Sequence, residues 1–144
     1  MAHPRTGYGG GSADQQEIRA LIEASGAAVQ QGDLDGICDR HSRDIVMFDV
    51  PSAEEGVRGL DAYRAVWPDL LDWVRAGARF ELVELNVIAG HDVACAWALL
   101  RCGSDDELQL APSRRLRLTF GLRRDEDGWR VTHEHHSFTH GCDG

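Results

Sequence analysis

The sequence predicts an α+β fold, with helices packed on one face of a curved antiparallel or mixed sheet. Three observations carry this. Apolar residues recur at helical spacing of three and four only in the first half of the chain. From residue 79 onward the pattern changes to alternation with a period of two. Turn signals then join those alternating runs into hairpins, and helices followed by a run of hairpins is the mark of an α+β domain. The chain has 144 residues, and no repeat or second domain is visible.

Residues 1–11, with Gly7, Gly9, Gly10 and Gly11, read as a flexible leader, and residues 12–140 as one domain. Two overlapping capping boxes, Ser12-x-x-Gln15 and Asp14-x-x-Glu17, start a helix whose stripe is Ile18, Leu21, Ile22, Ser25 and Val29. Gly32 ends it, and Asp33 is placed to cap a short second helix from Leu34 to about Arg40. Residues 44–51 form a short apolar strand closed by Pro51, with Asp49 near its end. That carboxylate either caps a turn or looks into a cavity. After a loop over 52–58, Gly59 leads into a third helix from Leu60, with Tyr63 and Trp67 at helical spacing. Pro68 should kink or restart it, and Trp73 and Val74 should close it over the core.

Residues 79–89 alternate as a strand with a bulge expected near Glu84. Gly90-His91-Asp92 turns the chain into residues 93–102, the most apolar strand, with Cys95, Trp97 and Leu99 on one face. Residues 115–123 place Leu116, Leu118, Phe120 and Leu122 opposite Arg115, Arg117, Thr119 and Arg123. The turn at residues 125–128 leads into the final strand, residues 128–138.

Acidic residues outnumber basic ones 24 to 15, for a net charge of −9, which argues against nucleic-acid or anionic-membrane partners. All the basic residues are Arg, so Schiff-base lysine chemistry is excluded. The four cysteines lack C-x-x-C spacing and read as reduced thiols. No apolar segment has the length of a membrane span or a signal sequence, so the expected location is cytoplasmic.

In the final strand, unbroken alternation puts Trp129, Val131, His133, His135 and Ser137 on one face, and Thr132, Glu134, His136 and Phe138 on the other. Two imidazoles behind a Trp and a Val suggest the wall of a half-polar pocket. Asp49 with His133 or His135 would make an acid–base pair, since imidazole exchanges protons near neutral pH and a carboxylate orients it. Parity likewise points Trp97 into that cavity. Tyr63, Trp67 and Trp97 would line it, with Thr119 and Ser137 as polar contacts. The histidines could instead bond across the sheet or a subunit interface. A metal site of His133, His135, His136, His140 and Cys142 fails on spacing, because His136 points away from the first two. The basic face of Arg115, Arg117 and Arg123 reads as solvated or interfacial.

Phe48-Asp49-Val50-Pro51, Gly59-Leu60-Asp61-Ala62-Tyr63 and the strand from Gly128 to Ser137 together resemble the NTF2-like superfamily, closest to its SnoaL-like, ketosteroid-isomerase-like branch. The resemblance covers about residues 13–138. It implies a cone-shaped half-barrel with an apolar cavity between sheet and helices, commonly as a homodimer, and acid–base side chains that work without metal or cofactor. Asp49 lies close to the place of the general base in ketosteroid isomerases. The oxyanion donors of those enzymes are missing, because the first helix has no Tyr and residues 93–100 contain no acid. The Asp-Arg-Asp set of limonene-epoxide hydrolases is not recognisable either. An Asp–His pair across the cavity would resemble scytalone dehydratase.

Two functions are therefore expected. One is a cofactor-independent cyclase, isomerase or dehydratase acting on an apolar, carbonyl-rich small molecule such as a polyketide intermediate, with Asp49, His133 and His135 catalytic. The other is a non-catalytic module of the same fold that binds such a molecule or docks on a partner.

Overall fold

The structure is a computed structural model and describes residues 12–50 and 53–139. In chain order the described elements are α1 (Ala13–Gln31), α2 (Leu34–Cys38), β1 (His41–Phe48), β2 (Val57–Arg58), α3 (Leu60–Ala65), α4 (Trp67–Arg75), β3 (Arg79–Ala89), β4 (Val93–Gly103), α5 (Asp105–Leu110), β5 (Leu116–Asp125) and β6 (Gly128–Phe138). The strands form one sheet in the order β2-β1-β6-β5-β4-β3. β1 runs parallel to β6, and the other described pairings are antiparallel. The expected leader, Pro51, Ser52, His140 and Cys142 lie outside the described residues.

Local chemistry sets most boundaries. Ser12 and Gln15 form a reciprocal capping box on α1, and Gly32 closes that helix in the left-handed conformation. Asp14, the rival cap, instead accepts from the Trp129 indole and pairs with Arg124. Asp33 caps α2, which stops at Cys38, short of the expected end. Pro68 restarts the third helix, so that α3 and α4 meet at Val66. The bulge in β3 falls between Leu82 and Glu84, as expected.

Three elements differ from expectation. β1 begins at His41, not at residue 44, because the Arg40 carbonyl accepts from Val131 N–H at 2.8 Å and ties the chain to β6 early. β2 pairs with β1 inside the expected loop. α5 follows β4, started by the capping box Ser104-x-x-Glu107.

One face of the sheet meets the helices. A row across it, Met47, Glu134, Phe120, Ala96 and Val87, is buried from end to end. The next row, His136, Leu118, Ala98 and Leu85, is buried as well. Ile18, Ile22 and Val29 of α1, Tyr63 of α3 and Trp67 and Leu71 of α4 close over this face. Burying each large apolar side chain stabilises the fold by roughly 1.5–3 kcal/mol. Against that background the buried Glu134 and His136 stand out as polar groups in the middle of the apolar face.

Candidate active site

The facing of β6 departs from simple alternation at one residue. Leu122 pairs with Val131 and Gly121 with His133, so Thr132 has no partner on β5 and forms a bulge. Trp129 and Val131 point inward before it; Glu134 and His136 point inward after it. His133 and His135, expected in the cavity, therefore lie on the outer face. His133 Nδ1 is bonded to the Val46 carbonyl at 2.7 Å, and both rings pack edge-on against Phe48.

The outer face also takes three other expected contacts. Trp97 pairs with Thr119, and Thr119 with His135, in the row outside the buried one. The inward residues of β4 are Ala96, Ala98 and Leu100, so the expectation for Trp97 is reversed. Ser137 accepts from Arg117 Nε at 3.1 Å, away from the core.

Inside, five polar side chains meet. Glu134, only 2% exposed, accepts from Tyr63 O–H at 2.8 Å on Oε2. His41 Nε2 lies 2.8 Å from the same oxygen, and His136 Nε2 lies 2.8 Å from Oε1. The other nitrogen of His136 is 3.4 Å from Asp49 Oδ1, an ion pair longer than a hydrogen bond. Asp49 follows the last residue of β1, and its Oδ1 also accepts from Val50 N–H at 2.8 Å. It thus occupies the turn and faces the interior at once.

Each member is placed by its element. His41 opens β1 directly after Arg40, which adopts a left-handed φ of 58° and is held by its carbonyl bond to Val131 and its guanidinium on the Asp127 carbonyl. Gly59, at φ 89°, donates to the Ile45 carbonyl and turns the chain into α3, whose first turn delivers Tyr63 beneath β1. Tyr63, expected to line the cavity, is 1% exposed and committed to Glu134.

The electrostatics follow from these contacts. Burial pushes the Glu134 carboxyl up, but hydrogen bonds and charge from His136 and His41 outweigh it and hold Glu134 far below the usual range. Burial opposes charge on His136, yet Asp49 and Glu134 together raise its pKa to about 9. His41 is raised in the same way, chiefly by Glu134 against burial. Burial raises Asp49, and the neighbouring His136 more than reverses this. The Tyr63 hydroxyl is pushed well up by burial and by Glu134. At neutral pH a charged His136 sits between two carboxylates, and Glu134 favours the charged form of His41 as well.

Asp49 and His136 open on a cavity of about 50 Å³ that Val66, Trp67, Leu70 and Phe80 complete. Trp67 is thus the one expected lining residue found there. No group of three or more His, Cys, Asp or Glu among the described residues is arranged to hold a metal ion. His136 faces inward while His133 and His135 face outward, so the three do not converge. His41, Glu134 and His136 were missed by parity. The one signal for them was Glu134 itself, a carboxylate among three histidines in an otherwise half-apolar strand.

A single six-stranded sheet in the order β2-β1-β6-β5-β4-β3, backed on one face by helices, defines an NTF2-like domain. Residues 18–141 match the SnoaL-like domain family, and the chain belongs to it. An NTF2-like protein of unknown function from Pseudomonas putida KT2440 is 36% identical, with a TM-score of 0.79 over 94% of this chain and 93% of that one. An NTF2-like protein with a cystatin-like fold from Novosphingobium aromaticivorans shares 21% identity, with a TM-score of 0.72 over 90% and 84% of the two chains. A candidate ketosteroid isomerase from Shewanella frigidimarina has the same fold at 18% identity, with a TM-score of 0.62 over 82% and 92%. No functionally curated protein matches the sequence.

Proposed function

We propose that the chain is a cofactor-independent acid–base enzyme of the isomerase, cyclase or dehydratase type, acting next to a carbonyl. The observation that carries this reading is the pairing of Asp49 and His136 at the mouth of one cavity, a carboxylate beside an imidazolium. Asp49 is the base that takes the proton from carbon. His136 donates through its Nδ1–H to the carbonyl oxygen as negative charge develops there. The proton on Asp49 then returns to another carbon or to a leaving group. His136 replaces His133 and His135 in the proton-carrying role.

A cavity of about 50 Å³ takes a carbonyl and its adjoining carbons, whereas whole drug-sized ligands need some 300 Å³ or more. The substrate is therefore a small carbonyl compound, or a larger apolar one such as a polyketide intermediate that inserts only its reacting end. The Trp67 and Phe80 rings give the apolar walls. Unpaired Cys38, Cys95 and Cys102 fit a reducing, cytoplasmic setting. No described helix is long and apolar enough to cross a membrane. We assign the outer sheet row of Phe48, His135, Thr119 and Trp97 to contact with a second copy of the chain.

The test is deuterium uptake from D₂O next to the carbonyl of cyclohex-3-enone and of an aryl methyl ketone, followed by NMR. Wild type should accelerate uptake in at least one, and Asp49→Asn should reduce the rate by about 100-fold or more. No acceleration by wild type over buffer removes the enzyme reading and leaves a binding module of the same fold.

A further inference from the structure

The mechanism uses Asp49 and His136 and leaves His41 unused, although His41 is buried and does not line the cavity. His41 Nδ1 lies 2.8 Å from the Asp39 carbonyl oxygen, which can only accept. Its Nε2 lies 2.8 Å from the Glu134 carboxylate, also an acceptor. The Tyr63 hydroxyl also lies 3.2 Å from Nε2, but its proton goes to Glu134 at the shorter 2.8 Å; Nε2 then faces a carboxylate and Nδ1 a carbonyl, which favours a proton on each. Tyr63 O–H supplies a further donor to the same carboxylate oxygen. A neutral amide at this position could donate to Glu134 without the cost of a buried charge. What His41 adds is the charge itself.

We propose that His41 is a positioning residue that sets how tightly His136 holds its proton, acting through the carboxylate of Glu134 that the two rings share. This rests on the acid–base reading above. His41 and His136 are like charges competing for one anion, which lowers the hold of that anion on either proton. Without His41, His136 would sit between Glu134 and Asp49 with neither anion shared, and would release its proton too reluctantly to serve as an acid near neutral pH. Burial alone would take the charge off both rings; the shared carboxylate favours keeping it on.

The groups facing the pair are few. Asp49 approaches from the end of β1, Glu134 from β6, Tyr63 from α3, the Asp39 carboxylate from the turn before β1, where it also favours charge on His41, and Cys38 from α2, the last a buried thiol raised by desolvation and so neutral. α4 and β3 present Trp67, Leu70 and Phe80 at the cavity, none of them charged.

The experiment is a ring ¹H–¹⁵N NMR titration of the full chain, labelled at histidine, as wild type, His41→Gln and Tyr63→Phe. In wild type at pH 7, His41 should show protons on both nitrogens, and its own titration should appear as an inflection in the His136 curve. In His41→Gln the His136 midpoint should rise by about one pH unit or more. Tyr63→Phe, which removes a neutral donor, should move it less. A His136 midpoint that stays or falls in His41→Gln overturns the proposal, and so does a singly protonated His41 in wild type. The wild-type result decides alone if the variant does not fold. Unmoved His136 with intact, Asp49-dependent deuterium uptake sinks this proposal and spares the enzyme. A shifted His136 without any uptake does the reverse.

Discussion

Raising the pH from 6.5 should destabilise the fold steeply, because His136 binds its proton more tightly folded than unfolded. Its pKa rises from an ordinary 6.5 to about 9. At about 1.4 kcal/mol per pH unit this corresponds to roughly 3 kcal/mol. The contribution is fully present below pH 6.5, where both states hold the proton, and is lost as pH rises through 9. Most of it should be gone by pH 8.5, where unfolded thiols also begin to ionise; Cys38 and Cys102, raised by burial, then act with the same sign. His41, raised as well, acts with the same sign. On the acid side Glu134 and Asp49 are depressed, so their contributions are present above their unfolded values of 4.5 and 3.8 and are lost as pH falls. Stability should therefore be greatest between about pH 5 and 6.5.

Urea unfolding at half-unit steps from pH 6 to 8.5 measures this directly. With the slopes usual for small proteins, the midpoint should fall by roughly 1–2 M over that range. His136→Gln keeps a donor toward Glu134 but removes the titrating ring, so its curve should be much flatter. A wild-type midpoint that is level or rising from pH 6.5 to 8.5 would refute the reasoning, because His136 could not then be an imidazolium clamped between two anions.

Two further outcomes test the sheet. Thr132 has no partner on β5, so its deletion should leave Glu134 and His136 on the inner face and cost only about 1–3 kcal/mol; loss of the raised His136 titration in a folded deletion variant would disprove that register. Trp97→Arg, on the outer row, should convert a dimer to a monomer in light scattering while leaving the titration of His136 unchanged. A monomeric wild type would remove the outer face as a contact surface.

How much of this was legible depends on how far each cause lies from its effect along the chain. The starts of α1, α2 and α4 and the end of α1 were readable because their causes are local: Ser12 and Gln15, Gly32, Asp33 and Pro68 act within one turn of where they stand; α5 was overlooked although its Ser104-x-x-Glu107 box is equally local. The long strands were readable because their alternation spans most of ten residues, and even the β3 bulge left a break in that pattern at Glu84. The site was less legible. In His133-Glu134-His135-His136 both faces are polar, so no apolar residue marks which one is buried, and the phase set by Trp129 and Val131 carries across Thr132 unless the bulge is known. His41 was hidden for another reason: its strand begins through a bond from Val131, ninety residues away in sequence, which no local signal announces.

Glu134 could not lie on the apolar face alone, since a buried carboxylate without donors is far too costly. On the outer face it would have needed nothing. Its three neighbouring donors, His41, Tyr63 and His136, come from β1, α3 and β6, so the cluster cannot assemble until the parallel β1–β6 pairing and the α3 turn are both in place. The same interactions that make His136 an acid therefore report that the half-barrel has closed. Protonation at the site and completion of the fold are one equilibrium, and a change in pH acts on both.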